Sequence, residues 1–285
     1  MILVMGSHGQ VATELKALSP SKFFFTSRKE INLLEPDSLP QILKNYKPEL
    51  IINCTAYNYV DKAEVESTDS FLINAESLRL IGEYSKESKC AVIHISSDFV
   101  FDGLNGPYDE NDQKNPINQY GKSKSLGEDY LLQNVEKLLI LRTSWVYSNF
   151  GNNFFNSIKN SFMQNKKIYG ATDIIGSPTR AFTIANFIAS NYQKFLDCEF
   201  KRIYHICDSG FITRYDFIFS ILNKIAEKFS LPCPEIIKVE NNFFKLPAQR
   251  PLNSSLKNGN IVKDFDFIIN DWEGELKKEI ERLKI

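Results

Sequence analysis

Tyr120 and Lys124 stand four residues apart in "NQYGKSKSLGEDYL". On a helix this spacing puts both side chains on one face, a turn apart. A tyrosine with an ordinary pKa near ~10 is a poor acid or base at neutral pH, but a neighbouring ammonium favours the phenolate and brings the hydroxyl into working range. Upstream, "CAVIHISS" ends at Ser97, whose hydroxyl can hydrogen-bond the same substrate oxygen that Tyr120 would protonate. With twelve tyrosines in 285 residues, one Tyr-x-x-x-Lys is expected by chance, so the pair draws its meaning from context. It is the only such pair here, and it follows both a serine that closes a middle strand and a glycine turn at the chain's start.

That turn lies in "MILVMGSHGQVATEL", which reads as strand, tight turn, helix. Gly6 and Gly9 permit φ > 0 and a close approach to the main chain, and Ala12 is small enough for the new helix to sit close on the strand. The spacing GxxGxxA differs from GxGxxG, and alone it is weak evidence for a dinucleotide. Further β-rich runs follow at 22–27, 49–55, 90–97, 137–145 and 202–208, with helical patterns between them. Such alternation predicts a Rossmann-type α/β fold, a doubly wound parallel sheet covered on both faces, with ligands beyond the carboxyl ends of the strands. After residue 150 the pattern loosens. We expect a dinucleotide-binding domain over 1–150, with 177–206 returning to it, and a smaller mixed α/β substrate lobe from 151–176 and 207–285.

Composition narrows the function classes. A net charge of −1 gives no basic excess for nucleic acid, and no apolar run approaches the ~20 residues of a membrane span. The first five apolar residues run straight into a glycine turn with no charged segment before them, which reads as a strand rather than a signal peptide. Five cysteines without CxxC or zinc spacing read as free thiols of a reducing cytoplasm.

In order along the chain come "GSHGQVA", "CTAYNYVDKAEVE", "INAESLRLIGEYSKE", "HISSDFVFDG", "GPYDENDQKNPINQYGKSKSLGE", "LRTSWVYSNFGNNF", "DIIGSPTRA" and "LPAQRPLNSSL". Together they resemble the extended short-chain dehydrogenases/reductases and, within them, the dTDP-4-dehydrorhamnose reductases. The resemblance covers most of the chain. It implies a catalytic set of Ser97, Tyr120 and Lys124 and a pyrophosphate turn of Gly6, His8, Gly9, Gln10 and Val11. Lys124 would also hold the nicotinamide ribose, and Thr55, Ala56 and Tyr57 would line the cofactor path. Asn58, Val60 and Trp145 would border the sugar of a nucleotide-sugar substrate, with hydride from NAD(P)H reaching its C4 ketone and Tyr120 supplying the proton. Where the family commonly reads "STDYVFDG", this chain has Ser97 for threonine and Phe99 for tyrosine. Asn58 and Ile174 also depart from the usual threonine and glutamine, which leaves the exact sugar and its nucleotide carrier open.

At the end of the second strand, where NAD-selective sheets carry Asp or Glu, stand Ser27 and Arg28. A hydroxyl and a cation suit a 2′-phosphate, so NADPH is favoured, with NADH as the second cofactor. Related 4,6-dehydratases place Asp-Glu after the hydroxyl residue; here Asp98 is followed by Phe99, which argues for reduction over dehydration. An epimerase, the reductase of another nucleotide sugar, and a non-catalytic regulatory subunit resembling that of methionine adenosyltransferase are the alternatives.

His94 and His205 lie inside apolar strands and read as core histidines, and no ligand constellation for a metal is present. Asp61, Lys62 and Glu64 are expected to start a helix, and Asn74 to support the catalytic strand. Arg250 in "AQRP" either meets the substrate diphosphate or is a surface arginine. Reductases of this shape are often homodimers, and no patch in the sequence marks an interface.

Overall fold

The computed structural model describes residues 1–19, 21–198 and 200–284. Its strands and helices follow in chain order. The first half contains β1 (Ile2–Met5), α1 (Gln10–Leu18), β2 (Phe24–Thr26), α2 (Leu39–Tyr46), β3 (Leu50–Asn53), α3 (Ser67–Phe71), α4 (Ser77–Ser88), β4 (Ala91–Ser97), α5 (Gln119–Asn134) and β5 (Leu138–Thr143). The second contains β6 (Val146–Tyr147), α6 (Phe154–Met163), β7 (Ile168–Ala171), β8 (Ile175–Gly176), β9 (Thr179–Arg180), α7 (Ala181–Asp197), β10 (Lys201–His205), β11 (Ile212–Thr213), α8 (Arg214–Phe229), β12 (Ile236–Val239), α9 (Gly259–Phe265) and α10 (Trp272–Glu281).

The five β-rich runs and the N-terminal strand form one six-stranded sheet in the order β10-β5-β4-β3-β1-β2. Every pairing in it is parallel. Side chains alternate between its two buried faces, as a sheet covered on both sides requires. Ile2, Val4 and Ile52 pack with α1, α7 and α9, whereas Leu3, Met5 and Ile51 pack with α2, α4 and α5. From β1 the chain adds β2 on one side and then returns to add β3 on the other. This reversal opens a crevice at the carboxyl ends of β1 and β3, where ligands bind in such sheets.

A separate apolar core joins α6, α8 and α10 through Phe155, Phe217, Ile221, Trp272 and Leu276. Two short strand pairs, β7 with β12 and β8 with β11, edge this smaller lobe. Helix α9 packs instead against the sheet layer through Ile261 and Phe265, so the segment 207–285 serves both cores. Arg180 bonds Glu275 and Glu279 of α10, and its backbone N–H donates to Asp208. These buried bonds tie α10 to the point where the chain re-enters the sheet layer at α7.

Two local features set helix α5. Asn118 caps α5 by accepting the Gly121 N–H at 2.8 Å. At Gly127 a Cβ would run into the Asn74 carbonyl, so glycine lets α5 press on the π-helical turn at 72–76. Such turns often mark functional positions. Asn74, within it, accepts from Tyr57 N and donates to Tyr57 O and Ser123 Oγ. It therefore braces the loop after β3 against α5, and not the catalytic strand as expected.

Candidate active site

A cleft of about 610 Å³ runs from the first turn to the smaller lobe. At one end lie Gly9, Gln10 and Val11, where α1 begins with no acidic residue in its first turn and no side-chain cap. Its free N–H groups and dipole suit an anionic group. Gly6 has φ +89°, and a Cβ there would meet Thr55 Cγ2 at 2.9 Å, so glycine is needed for this turn. Gly9 differs from expectation: its φ is −70°. Its small size, not a left-handed backbone, is what the turn uses, because a Cβ would sit 3.2 Å from the Gly6 carbonyl oxygen. The turn therefore fits a pyrophosphate.

Mid-cleft, β4 and α5 bring Ser97, Tyr120 and Lys124 to one wall. The Phe99 N–H donates to Ser97 Oγ at 3.2 Å, and Ser97 donates to Asp98 Oδ1 at 3.0 Å, which fixes the hydroxyl. Burial pushes the Tyr120 phenol up to about 12, while the Ser97 hydroxyl pulls the other way. At neutral pH the group is protonated and able to donate. The expected ammonium beside this phenol is not its main influence, because Lys124 turns to the Ile95 carbonyl at 2.8 Å and to His94. Burial lowers Lys124 to about 8. Phe99 packs edge-on against Tyr120 with ring centroids 5.5 Å apart, which orients the phenol without a second hydroxyl.

Asp98 is fully enclosed and raised by burial. Its carboxylate accepts from Ser97, from Ser144 at 2.8 Å and from Ser254 at 2.5 Å. Occupied in this way, it holds the smaller lobe's loop against β4 and is not free to act as an elimination base.

Asn58, Val60, Trp145, Ile174 and Arg250 also line the cleft. Asn58 Oδ1 lies 3.5 Å from the Tyr120 hydroxyl. Trp145 has φ +44°, a conformation that a bulky residue adopts rarely and that tends to be held at functional sites. Arg250 is paired with Asp61 at 2.7 Å. Asp61 precedes a short 3-10 turn at Lys62–Glu64, and Glu64 accepts the Gln119 N–H at the start of α5. The three residues thus begin a turn, and two of them brace other segments.

Thr55 and Ala56 line the cleft, while Gly6, His8, Ser27, Arg28 and Tyr57 lie outside its lining. The Tyr57 hydroxyl donates to Glu66 at 2.6 Å. At the end of β2 the Ser27 hydroxyl and N–H both donate to Glu30, leaving Arg28 as the cation there. His205 accepts no role in the cleft; its Nδ1 meets the Lys257 carbonyl. Among the described residues no group of three metal-ligating side chains converges, and no helix is long and apolar enough to cross a membrane.

Of the charged residues that line the cleft, one was not anticipated from the sequence. Arg214 lies over Trp145 and Phe154, and among the described residues no carboxylate is within bonding distance of its guanidinium. Burial pushes it down to about 9, still cationic at neutral pH. It is the first residue of α8, directly after the Thr213 cap. A cation there opposes the helix dipole, and that mismatch in "FITRYDF" is the signal that could have found it.

The model of the RmlD substrate binding domain family matches residues 1–285. The chain is 32% identical over 285 residues to the dTDP-4-dehydrorhamnose reductase of Aggregatibacter actinomycetemcomitans, covering 97% of each. It is 33% identical over 293 residues to the dTDP-4-dehydrorhamnose reductase of Escherichia coli K12, covering 99% of this chain and 97% of the other. Among solved structures, the dTDP-4-dehydrorhamnose reductase of Bacillus anthracis in complex with NADP superposes with a TM-score of 0.87 at 26% identity, covering 99% of each chain.

Proposed function

The chain belongs to the RmlD substrate binding domain family, and from that membership and the cleft we propose that it is an NADPH-dependent oxidoreductase. Its reaction reduces the C4 ketone of dTDP-4-dehydro-L-rhamnose to give dTDP-L-rhamnose. The single observation that carries the reading is the convergence of Ser97, Tyr120 and Lys124 on one wall of a cleft whose other end is the glycine turn. The relatives' shared name supplies the substrate.

When bound, the reduced nicotinamide supplies a hydride to the ketone carbon. The turn at Gly6, His8, Gly9, Gln10 and Val11 would hold the pyrophosphate, with Thr55 and Ala56 along the path and Lys124 on the ribose. Tyr120, protonated at neutral pH, gives its proton to the ketone oxygen as charge develops there. Ser97 would add a second donor by turning its hydroxyl from Asp98 to that oxygen, and such a donor contributes about 3 kcal/mol to the barrier reduction, while Ser144 and Ser254 keep Asp98 bound. Asn58, Val60, Phe99 and Trp145 enclose the sugar. Arg214, the cation without a carboxylate, takes the substrate diphosphate, and Arg250 supports that end of the cleft from its pair with Asp61. Simple reduction is favoured over dehydration because the carboxylate beside Ser97 is bound by three serine hydroxyls. We place the protein in the cytoplasm, where the nucleotide sugar and NADPH are available, and take a homodimer as the assembly to be tested by light scattering.

The test is the loss of reduced-nicotinamide absorbance when purified protein meets dTDP-4-dehydro-L-rhamnose, with NADPH and NADH in parallel. Turnover supports the assignment. Silence with both cofactors, while cofactor binding is measurable, rejects it in favour of another nucleotide sugar or a binding role.

A further inference from the structure

Behind Lys124 lies a string of buried side chains that the reaction as described does not use. The register of β3 and β4 sets Asn53 beside His94, and both are 1% exposed. Lys124 Nζ is 3.2 Å from His94 Nε2, and His94 Nδ1 is 3.1 Å from Asn53 Nδ2. Asn53 Oδ1 accepts the backbone N–H of Thr55 at 3.0 Å and the Thr55 hydroxyl at 2.5 Å.

The donors and acceptors in this string leave one consistent arrangement. A backbone N–H can only donate, so the carbonyl end of the Asn53 amide faces Thr55 and its NH2 end faces His94. An amide NH2 also only donates, so His94 Nδ1 carries a lone pair and the proton of the neutral ring sits on Nε2. That proton points at Lys124. An ammonium has no lone pair to receive it, whereas a neutral amine has one, with an N–H left for the Ile95 carbonyl.

Resting on the reductase reading above, we propose that His94, held in its Nε2–H tautomer by Asn53 and Thr55, is a positioning residue that selects the neutral amine of Lys124. Lys124 then gains and loses a proton in the working pH range instead of standing as a fixed cation.

The surroundings agree. Burial lowers His94 well below its ordinary value, with the Lys124 charge adding to the effect, so the ring stays neutral. On the same helix, Tyr120 is protonated and Glu128 favours the ammonium, but the Glu128 carboxylate is bound bidentately by Arg142 of β5. From the end of β4, Asp98 is bound by serines, and just past β3 burial pushes the Cys54 thiol up to about 12 and keeps it neutral. No free carboxylate among these groups holds Lys124 as an ammonium.

The ammonium form makes Tyr120 the stronger acid, so reduction is fast below the Lys124 pKa and slows as pH rises through it. The wild-type alkaline limb of kcat is expected near pH 8. His94→Gln can present a carbonyl to Lys124, which favours the ammonium, and the limb should move up by about one unit or more. A structural role alone would scale kcat at every pH and leave the limb in place, and an unmoved limb overturns the proposal. Independent of turnover, 15N ring shifts of His94, assigned by their loss in His94→Gln, should show the Nε2–H tautomer across neutral pH. The opposite tautomer or a charged ring overturns the proposal too. If turnover is absent under all conditions, the reductase reading fails by itself, and the ring shifts still decide the role of His94.

Discussion

The Arg214 guanidinium carbon lies over the Trp145 indole, 3.4 Å from the ring centroid, with the Phe154 centroid at 4.3 Å. Stacking of this kind offsets the removal of a cation from water, and it leaves a cleft-lining guanidinium whose N–H donors meet no carboxylate among the described residues. Those donors match the paired oxygens of a diphosphate. Arg214→Met keeps much of the stacked volume and removes the donors. The expected result is a rise of about tenfold or more in KM for the nucleotide sugar, equivalent to at least about 1.4 kcal/mol, with kcat nearly unchanged. Binding of thymidine, which has no phosphate, should be unaffected, as read from Trp145 fluorescence. Equal losses for thymidine and its diphosphate would assign Arg214 to packing alone.

Tyr120→Phe removes one oxygen from a buried ring that packs on Phe99. The wall of the cleft keeps its shape, so NADPH affinity should hold within a few-fold. Turnover should fall by about 10²–10⁴, the usual contribution of a positioned proton donor. Stopped-flow absorbance and a cofactor titration separate the two. Undiminished turnover would remove Tyr120 from the chemistry.

The sheet was readable because its central strands are buried on both faces, so β1 is a continuous apolar run and β3, β4 and β5 are largely so. The spacing of Tyr120 and Lys124 was readable because a single helix carries both. Contacts made across distant segments were not. Asn53 and Thr55 look like ordinary strand-end residues, and only the β3–β4 register reveals that they orient His94. Arg250 read either as a diphosphate contact or as a surface arginine, and Asp61, far away in sequence, binds it. Arg214 was overlooked because its one local signal, a cation at the first position of α8, shows an unfavourable placement but not that the side chain lacks a partner. Reading Gly9 as a left-handed position failed because close approach and positive φ call for the same residue type.

Cofactor choice turns on the end of β2. Ser27 is occupied by Glu30, whose carboxylate is held below its ordinary range chiefly by the Ser27 hydroxyl and backbone bonds. Arg28 therefore remains to meet a 2′-phosphate, and the Glu30 charge opposes one. Arg28→Ala should lower kcat/KM for NADPH by about tenfold, the loss of one charge-assisted contact, and leave NADH unchanged. Glu30→Gln should shift the ratio toward NADPH. Parallel assays with both cofactors check this, and an unaltered ratio in Arg28→Ala would make that residue a bystander.

The fold also depends on a buried pair that joins α5 to β5. Glu128 receives Arg142 Nε at 2.9 Å and Nη2 at 2.8 Å, together with the Ser96 hydroxyl at 2.6 Å. Burial pushes this carboxyl up, but Arg142, Lys114 and Ser96 outweigh it, and the net value lies below the ordinary 4.5. A carboxyl lowered by folding stabilises the native state above its unfolded pKa, and that contribution is lost as pH falls through the folded value. Glu128→Ala strands Arg142 in the interior, where loss of one partner costs about 3–5 kcal/mol. Urea unfolding at neutral pH should show a loss of that size. Glu128→Gln retains the shape without the charge, and its deficit relative to wild type should shrink as pH falls below 4.5. A deficit that stays constant over that range would trace the loss to packing instead of charge.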